Sequence, residues 1–358
     1  MTLERTWCQL HATSSYPSIY NTFDFFISSI TNFWEHDVEL FVLTATYNDV
    51  AIALFPFQLS LLTFYGTRLT RLEYAAQWES DKPYPVIQQG FEKLAWKELC
   101  RFLRTCYRRW DEVVLIEVRD GLAAAKQLPI LCDSPLYWVR VKEDRRSPIV
   151  AFDQPWEARW SAHRKMRKKV TRMQKTFGER LQFEVADGSG NWLDYLEIYI
   201  QIESRGWKAG RIGVGKDTRT LKFYQDLFGR LAKRNQIRFG ILSIDNQPVA
   251  LEIAYLQGRS VYFVHGTFDE AFSQYSPGMV STALFLRHFH DGQFDEGDYL
   301  AGYAGYVVPW ADRVVSSRKV IVRRLSAPLI YTLAVKALRK LVPSRRKFEK
   351  RGEPAANL

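Results

Sequence analysis

The sequence predicts an α/β (α+β) chain in which one unit, a mixed sheet with flanking helices, occurs twice in tandem. Three observations predict this. The segment "ELFVLTATYNDVAIALFPFQLS" (39–60) alternates apolar and mixed residues, turns at Asn48-Asp49 and alternates again, the pattern of a β-hairpin. The segment "IRFGILSIDNQPVALEIAYLQG" (237–258) repeats that pattern around Asp245-Asn246. Each hairpin follows a predicted helix and precedes a further strand, a helix and a strand, so the order of elements is itself repeated.

The elements follow in order. "YNTFDFFISSITNFW" is the first helix before a hairpin, and "FEKLAWKELCRFLRTCYRRW" with "EVVLIEV" supplies the helix and strand after it. In the second unit "TLKFYQDLFGRLAKRN" leads into the hairpin; "SVYFVHGTF", "GMVSTALFLRHFHDG" and "DYLAG" follow it. At 358 residues and 47% hydrophobic content the chain is long enough for two domains. The expected divisions are 1–150, 151–325 and a basic amphipathic tail over 326–358, with the junction of the two units near "EDRRSPIVAFDQPW" (143–156).

Composition narrows the function classes. No run of about 18 uninterrupted apolar residues occurs, and "MTLERTWCQL" lacks a basic-then-apolar export signal, so a cytoplasmic protein is expected. Cys8, Cys100, Cys106 and Cys132 show neither metal-ligand spacing nor a CxxC motif, which argues against structural zinc and disulfides. The net charge of +11 is concentrated: residues 313–351 carry 13 Lys or Arg against Glu349, and residues 159–180 carry nine against Glu179. Two basic segments on an otherwise acidic chain point to an anionic partner, whether nucleotide phosphates, acidic lipid or RNA.

The motifs are then placed on these elements. On the helix of "YLEIYIQIESRGWK", Trp192, Leu196 and Tyr199 form an apolar stripe whose next position is Glu203, a carboxylate on a buried face. "GRIGVGKD" is one residue short of a Walker loop and has Asp217 where a magnesium-binding hydroxyl belongs, so it reads as a glycine-rich cover over a site. In "QYSPGMVSTALFLRHF", Ser276 fits an N-cap and Pro277 a first helical turn, whose unpaired amides make an anion site. The segment 156–181 is predicted as one basic helix. Its apolar stripe is Trp156, Trp160, His163, Val170, Met173 and Phe177, and Arg164, Lys165, Arg167, Lys168, Lys169, Arg172 and Lys175 lie outside it.

The unit resembles a Gcn5-related (GNAT) acyltransferase domain. "ESRGWK", "FYQDLFGRLA", "LSIDNQPVA", "VYFVHGTFDEAFSQYSPG" and "DYLAGYAGYVVPW" are similar to the bacterial acetyltransferase branch of cellulose and exopolysaccharide biosynthesis, related to the Fem-type aminoacyl transferases. The resemblance implies two packed acyltransferase folds with the chemistry in the second and an acyl-coenzyme A (acetyl-coenzyme A) co-substrate. It implies that the coenzyme pyrophosphate rests on Gln274, Tyr275, Ser276, Pro277 and Gly278, although the usual loop carries a second glycine and different spacing. It implies attack of an amine or hydroxyl on a thioester. Glu203 and His265 are then candidates to handle the proton and Tyr306 to protonate the departing thiolate. Trp207, Lys208, Arg164, Arg167, Asp298 and Trp310 are the expected substrate contacts. Simple alternation sends Tyr262 and His265 to opposite faces of their strand, and the sequence leaves open which faces the cleft.

No metal is implied. The expected partners are an anionic small molecule or glycan precursor and, through the basic tail, an inner-membrane surface. Charged tRNA is the alternative donor, for a Fem-like aminoacyl transfer. The lack of evident base-stacking aromatics in the basic segments argues against nucleic acid. A binding module at a polysaccharide synthase that has lost its catalysis is the third reading.

Overall fold

A computed structural model describes residues 2–34, 38–75, 80–107, 109–119, 136–206, 213–300 and 308–341. Both predicted hairpins form. Strands β1 (Glu39–Tyr47) and β2 (Val50–Phe64) meet at Asn48 and Asp49, with φ of 48° and 60°. Strands β8 (Ile237–Ile244) and β9 (Gln247–Gln257) meet at Asp245 and Asn246, with φ of 52° and 61°. Two consecutive left-handed residues make the tight turn whose twist matches the flanking strands, and Asn and Asp tolerate that backbone best after glycine.

The remaining strands are β3 (Thr67–Tyr74), β4 (Val86–Ile87), β5 (Glu112–Arg119), β6 (Tyr137–Ala151), β7 (Leu181–Ala186), β10 (Ser260–Phe268), β11 (Glu296–Asp298) and β12 (Arg313–Arg324). They join into one twelve-stranded mixed sheet in the order β1-β2-β3-β5-β12-β6-β11-β10-β9-β8-β7, with β4 paired to β2. The helices are α1 (Leu3–Ala12), α2 (Phe23–Phe33), α3 (Glu92–Thr105), α4 (Trp156–Ala162), α5 (Arg164–Phe177), α6 (Trp192–Ser204), α7 (Thr218–Lys233), α8 (Pro277–His290) and α9 (Ala327–Leu341).

This arrangement differs from the sequence expectation at the junction. Residues 143–151, expected as a link between units, are the second half of β6, which pairs with β12 from Tyr137 to Ile149 and with β11 from Ile149 to Ala151. The strand β12, which falls within the expected division 151–325, lies between β5 and β6 in the first unit's part of the sheet. The two halves therefore share strands, and the division at residue 150 falls at the end of an unbroken one.

The cores show the same sharing. Residues of β2, β3, α3 and β5 pack with Val320 and Val322 of β12 on one face of the first half. In the second half α6 and α7 cover one face of the sheet and α5 and α8 the other. The helix α2 completes the former cluster: Phe25 and Phe33 contact Phe223 of α7 at ring separations of 5.8 and 5.0 Å, and Ser28 donates to Asp226 at 2.7 Å.

The predicted helix 156–181 is broken at His163, where φ is −98° and ψ 59°. The break lets the stripe divide between two sites. Trp156 and Trp160 of α4 stack on Trp310, and His163 sits 4.2 Å from the same ring, while Met166, Val170 and Met173 of α5 enter the core beneath α8. Arg159, buried among them, donates to Trp310 O at 2.9 Å, to Ala151 O at 2.7 Å and to Asp312 at 2.8 Å. One guanidinium thus ties α4 to the end of β6 and the start of β12, satisfying carbonyls where the sheet changes partner. Replacing Arg159 by Leu is expected to lower stability by about 3 kcal/mol, because it leaves buried acceptors without a donor. Urea denaturation measures this, and an unchanged midpoint would mean that water satisfies those acceptors.

Candidate active site

Strands β10 and β11 run parallel and pair only over Ser260–Tyr262 against Glu296–Asp298. Beyond Tyr262, β10 continues along β9 alone, with a bulge at Val264 between the pairs Phe263↔Ala254 and His265↔Ile253. A parallel pair that separates leaves a wedge with backbone groups along its side, able to bond an extended ligand. The bulge also changes which face His265 occupies. An extra residue reverses the alternation, so His265 lies on the same side as Tyr262. Its ring is 5.0 Å from Tyr224 and 6.0 Å from Tyr199, members with Tyr262 of one buried cluster. The opposite-face expectation is thereby corrected.

The start of α8 lies beside this wedge. A 3-10 turn over Glu270–Tyr275 delivers Ser276 in the left-handed conformation (φ 57°, ψ 51°), and Pro277 opens the helix. Ser276 makes no side-chain cap, contrary to the sequence expectation. Its Oγ instead accepts from Lys169 Nζ of α5 at 2.6 Å. The Arg172 guanidinium lies 5.7 Å over the Tyr275 ring, which also meets Phe177 edge-on. From Arg172 an open trough of about 480 Å³ runs along α5, lined by Arg164, Arg167, Lys168, Lys175 and two threonines. The trough lies on the solvent side of α5, opposite Met166, Val170 and Met173, and Lys169 and Arg172 are the cations that reach the start of α8, where first-turn amides and the positive end of a helix dipole suit an anion. Gln274 is exposed at its edge. A Cβ on Gly278 would lie 2.9 Å from the Phe268 ring, so glycine is required there for packing.

Glu203 is buried on α6, and its carboxylate accepts from Val214 N at 3.4 Å and Gly215 N at 3.2 Å. Gly213, at φ 133°, passes so close that a Cβ would fall 2.1 Å from the Glu203 Oε1. The carboxylate thus holds the returning arm of the glycine-rich loop by its amides. Trp207 and Lys208 lie outside the described residues. Arg205, the neighbouring cation, pairs with Asp269 at 3.2 Å, and a Cβ on Gly206 would lie 2.8 Å from Phe268 O. Phe268 is consequently where two distant motifs converge: its carbonyl faces the end of α6 and its ring the start of α8. Asp217, out of place in a phosphate loop, caps α7 by accepting from Thr220 N at 2.8 Å.

The closed end of the wedge, where pairing stops at Tyr262 and Asp298, lies at the seam between the two halves. Asp298, the last residue of β11, is buried in an ion pair with Lys82 of the first half and accepts from Leu300 N at 2.8 Å. Lys82 N donates to Glu117 at 3.1 Å, and Arg145 lies 3.2 Å from the same carboxylate. Lys82, Glu117 and Leu300 all have left-handed backbones, with φ of 54°, 51° and 56°. Such positions cost energy in non-glycine residues and gather where structure is held for a purpose. Burial, reinforced by Asp81, raises the Glu117 carboxyl from 4.5 to about 7, with Arg145 opposing the shift. Burial likewise raises the hydroxyls of Tyr16 and Tyr262, which face this cluster.

Of the expected substrate contacts, Arg164 and Arg167 line the trough and Asp298 lies at the seam. Trp310 is 1% exposed and stacked between α4 residues, which removes it from any cleft. Tyr306 lies outside the described residues. Lys82, Glu117 and Lys169 were not singled out from sequence. Their roles depend on partners more than 30 residues away, and only Lys169, on a strongly basic helix, carried a local signal. Among the described residues no cluster of His, Cys, Asp and Glu could hold a metal ion.

The raised Glu117 carboxyl predicts a pH dependence of stability. The folded chain binds this proton more tightly than the unfolded one, so the contribution is full below about 4.5 and is lost as pH rises through about 7. Glu117→Gln should flatten the fall in stability across that window, by on the order of 3 kcal/mol. Denaturation at a series of pH values measures it, and parallel profiles for the two proteins would place the titration elsewhere.

Residues 164–306, less than half of the chain, match the family described as "Acetyltransferase (GNAT) domain". No curated protein matches the sequence. Solved structures share the fold at low identity. FemX aligns with a TM-score of 0.59 at 9% identity over 92% of this chain and 98% of its own. A conserved protein of unknown function from Bacteroides thetaiotaomicron VPI-5482 aligns with a TM-score of 0.56 at 12% identity, over 90% and 98%. The C-terminal domain of a protein described as a lysylphosphatidylglycerol synthetase, from Agrobacterium fabrum, aligns with a TM-score of 0.56 at 10% identity, over 95% and 96%. At such identities the likeness speaks to fold alone. The chain has a GNAT-type fold, α+β with a mixed sheet and flanking helices, and its second half carries the segment that matches the acetyltransferase domain.

Proposed function

We propose that the chain transfers an acyl group, acetyl in the simplest case, from acyl-coenzyme A to an amine or hydroxyl of an anionic sugar or lipid-linked polysaccharide precursor. This follows the exopolysaccharide and cellulose branch that the sequence resembles. The observation that carries the reading is the contact of Lys169 with Ser276. It fixes a lysine of the basic helix α5 against the first turn of a fourteen-residue helix, whose strand β10 leads from the point where pairing with β11 ends.

In this reading the coenzyme pyrophosphate takes the first-turn amides of Gly278 and Met279 together with Lys169 and Arg172, and the acyl arm follows the wedge. The acceptor arrives from the seam. Its nucleophile adds to the thioester carbonyl, gives up a proton, and the thiolate leaves taking one. Glu203 and His265 are the proton acceptors proposed from sequence, and Tyr306 the donor to the thiolate. Glu117 joins the acceptors because its proton affinity lies near neutrality. Both carboxylates are already engaged, Glu203 by the amides of Val214 and Gly215 and Glu117 by Lys82 N and Arg145.

A second reading, aminoacyl transfer from charged tRNA, draws on the length of the trough, whose five cations exceed what a pyrophosphate needs. The same trough offers cations and threonines with no aromatic side chain for base stacking, which favours the coenzyme.

Lys169→Glu is expected to weaken acetyl-coenzyme A binding by about tenfold or more in calorimetry, since it reverses a charge beside the pyrophosphate, and to leave the melting temperature unchanged. Unchanged affinity would move the donor site. Stabilisation by charged tRNA and not by acetyl-coenzyme A would establish the second reading, and binding of the coenzyme without turnover on any acceptor would leave a binding module. Turnover on a true acceptor should rise with pH around 7 if Glu117 takes the proton, and Glu117→Gln should remove that limb at a cost of about 10²-fold or more. A retained limb would assign it to another group.

A further inference from the structure

The first half exposes large apolar side chains at one end of its sheet. Strand pairing locates that end. The β2–β3 turn joins Phe64 to Thr67, the end of β12 pairs Arg324 with the start of β6 at Tyr137, and Arg323 lies level with the start of β5 at Glu112. Phe64 and Tyr65 project at the turn, and Leu136 and Trp138 at the start of β6, the latter 44% exposed. The helix α9 leaves from the same place and packs along β3 through Leu329, which is 2% exposed, with Thr332 buried behind it. Its other face is apolar and uncovered, with Ile330, Tyr331 and Leu338 each more than half exposed. Most of the exposed large hydrophobic residues of the described chain lie at this end. A monomeric soluble protein rarely gathers them in one place without a binding role.

Charge indicates what the surface meets. Arg71 and Arg323 share the single carboxylate of Glu112, at 2.6 and 3.0 Å, and the Arg323 guanidinium lies 5.0 Å over the Trp138 ring. Arg68, Arg140, Lys142 and Lys336 are exposed around the rim, and the acids Asp111 and Glu112 are engaged by neighbouring arginines. Apolar side chains, among them Trp and Tyr, inside a ring of Lys and Arg match the interface of an anionic bilayer, which accepts the former and attracts the latter. No helix of the described residues is long and apolar enough to cross a membrane.

We infer that this end of the first half, the outer face of α9 with the β2–β3 turn and the start of β6, docks on an anionic lipid surface. The inference deepens one part of the reading above, a membrane-linked acceptor, and is independent of the acyl donor. The full chain is tested by sedimentation with vesicles of phosphatidylcholine mixed with phosphatidylglycerol and of phosphatidylcholine alone. It should partition to the acidic vesicles, and the partition should fall as salt shortens the screening length below about 8 Å. Ile330→Asp combined with Leu338→Asp should reduce the partition about tenfold, and Trp138→Ala should reduce it separately, showing that the folded face and not the basic tail alone makes the contact. Melting temperatures and coenzyme binding should not change, since these side chains are exposed; loss of coenzyme binding in wild type would count against the donor reading only. Absence of partition, equal partition to neutral vesicles at every salt concentration, or unchanged partition of the variants would overturn the inference. So would self-association in lipid-free buffer that the same variants abolish, which would make the face a protein interface.

Discussion

The strand β6 is the element on which both halves depend. Ile149 lies near its C-terminal end, paired on one side with Arg313 of β12 and on the other with Asp298 of β11. The position of Asp298, and with it the closed end of the wedge, is therefore set by a strand that begins in the first half and is held there by β12, which returns from the end of the second. A parallel pair as short as β10 with β11 could not hold its own geometry. It is held because β11 is the seam of a continuous sheet, with Arg159 satisfying the carbonyls where the partners change.

That seam is charged, and its charges belong to different halves. A buried pair such as Lys82 with Asp298 adds little net stability, because desolvation offsets most of the attraction. Its effect is on arrangement: an unpaired ion there would be costly, so the two halves are locked in the one relation that pairs it. The left-handed backbones of Lys82 and Glu117 are consistent with this, since strain is retained only where the surroundings over-determine it. On the other side of the sheet the helix α5 brings its cations to the start of α8, so the anion-binding and seam sides of the wedge are polar for different reasons and suit different ligands.

The parts of the molecule that were legible in the sequence are those specified locally. The hairpins were announced by their Asn-Asp and Asp-Asn turns, the buried carboxylate of Glu203 by its place on the stripe of α6, and the start of α8 by its Pro-Gly first turn. What was missed depends on distant partners. "EDRRSPIV" looked like a link because it is charged and contains a proline, yet it is a strand with β12 alongside, more than 160 residues later. The bulge at Val264 has no sequence signature, and it alone decides the face of His265. Trp310 sits in a motif that resembles a site and is packed in a core, because resemblance transfers a position and not its exposure. Lys82 and Glu117 acquire meaning only when the sheet brings them to Asp298.

The central claim is that the start of α8, flanked by Lys169 and Arg172 of α5, binds the pyrophosphate of an acyl-coenzyme A. Its most direct test is a comparison of acetyl-coenzyme A with acetyl-pantetheine, which keeps the thioester arm and lacks the nucleotide and pyrophosphate, in wild type and in Lys169→Ala by calorimetry. The account predicts that wild type binds the coenzyme more tightly by a factor of about 10² or more, and that most of this preference disappears in the variant. Equal affinities for the two ligands in wild type, or a preference that survives the loss of Lys169 undiminished, would contradict it.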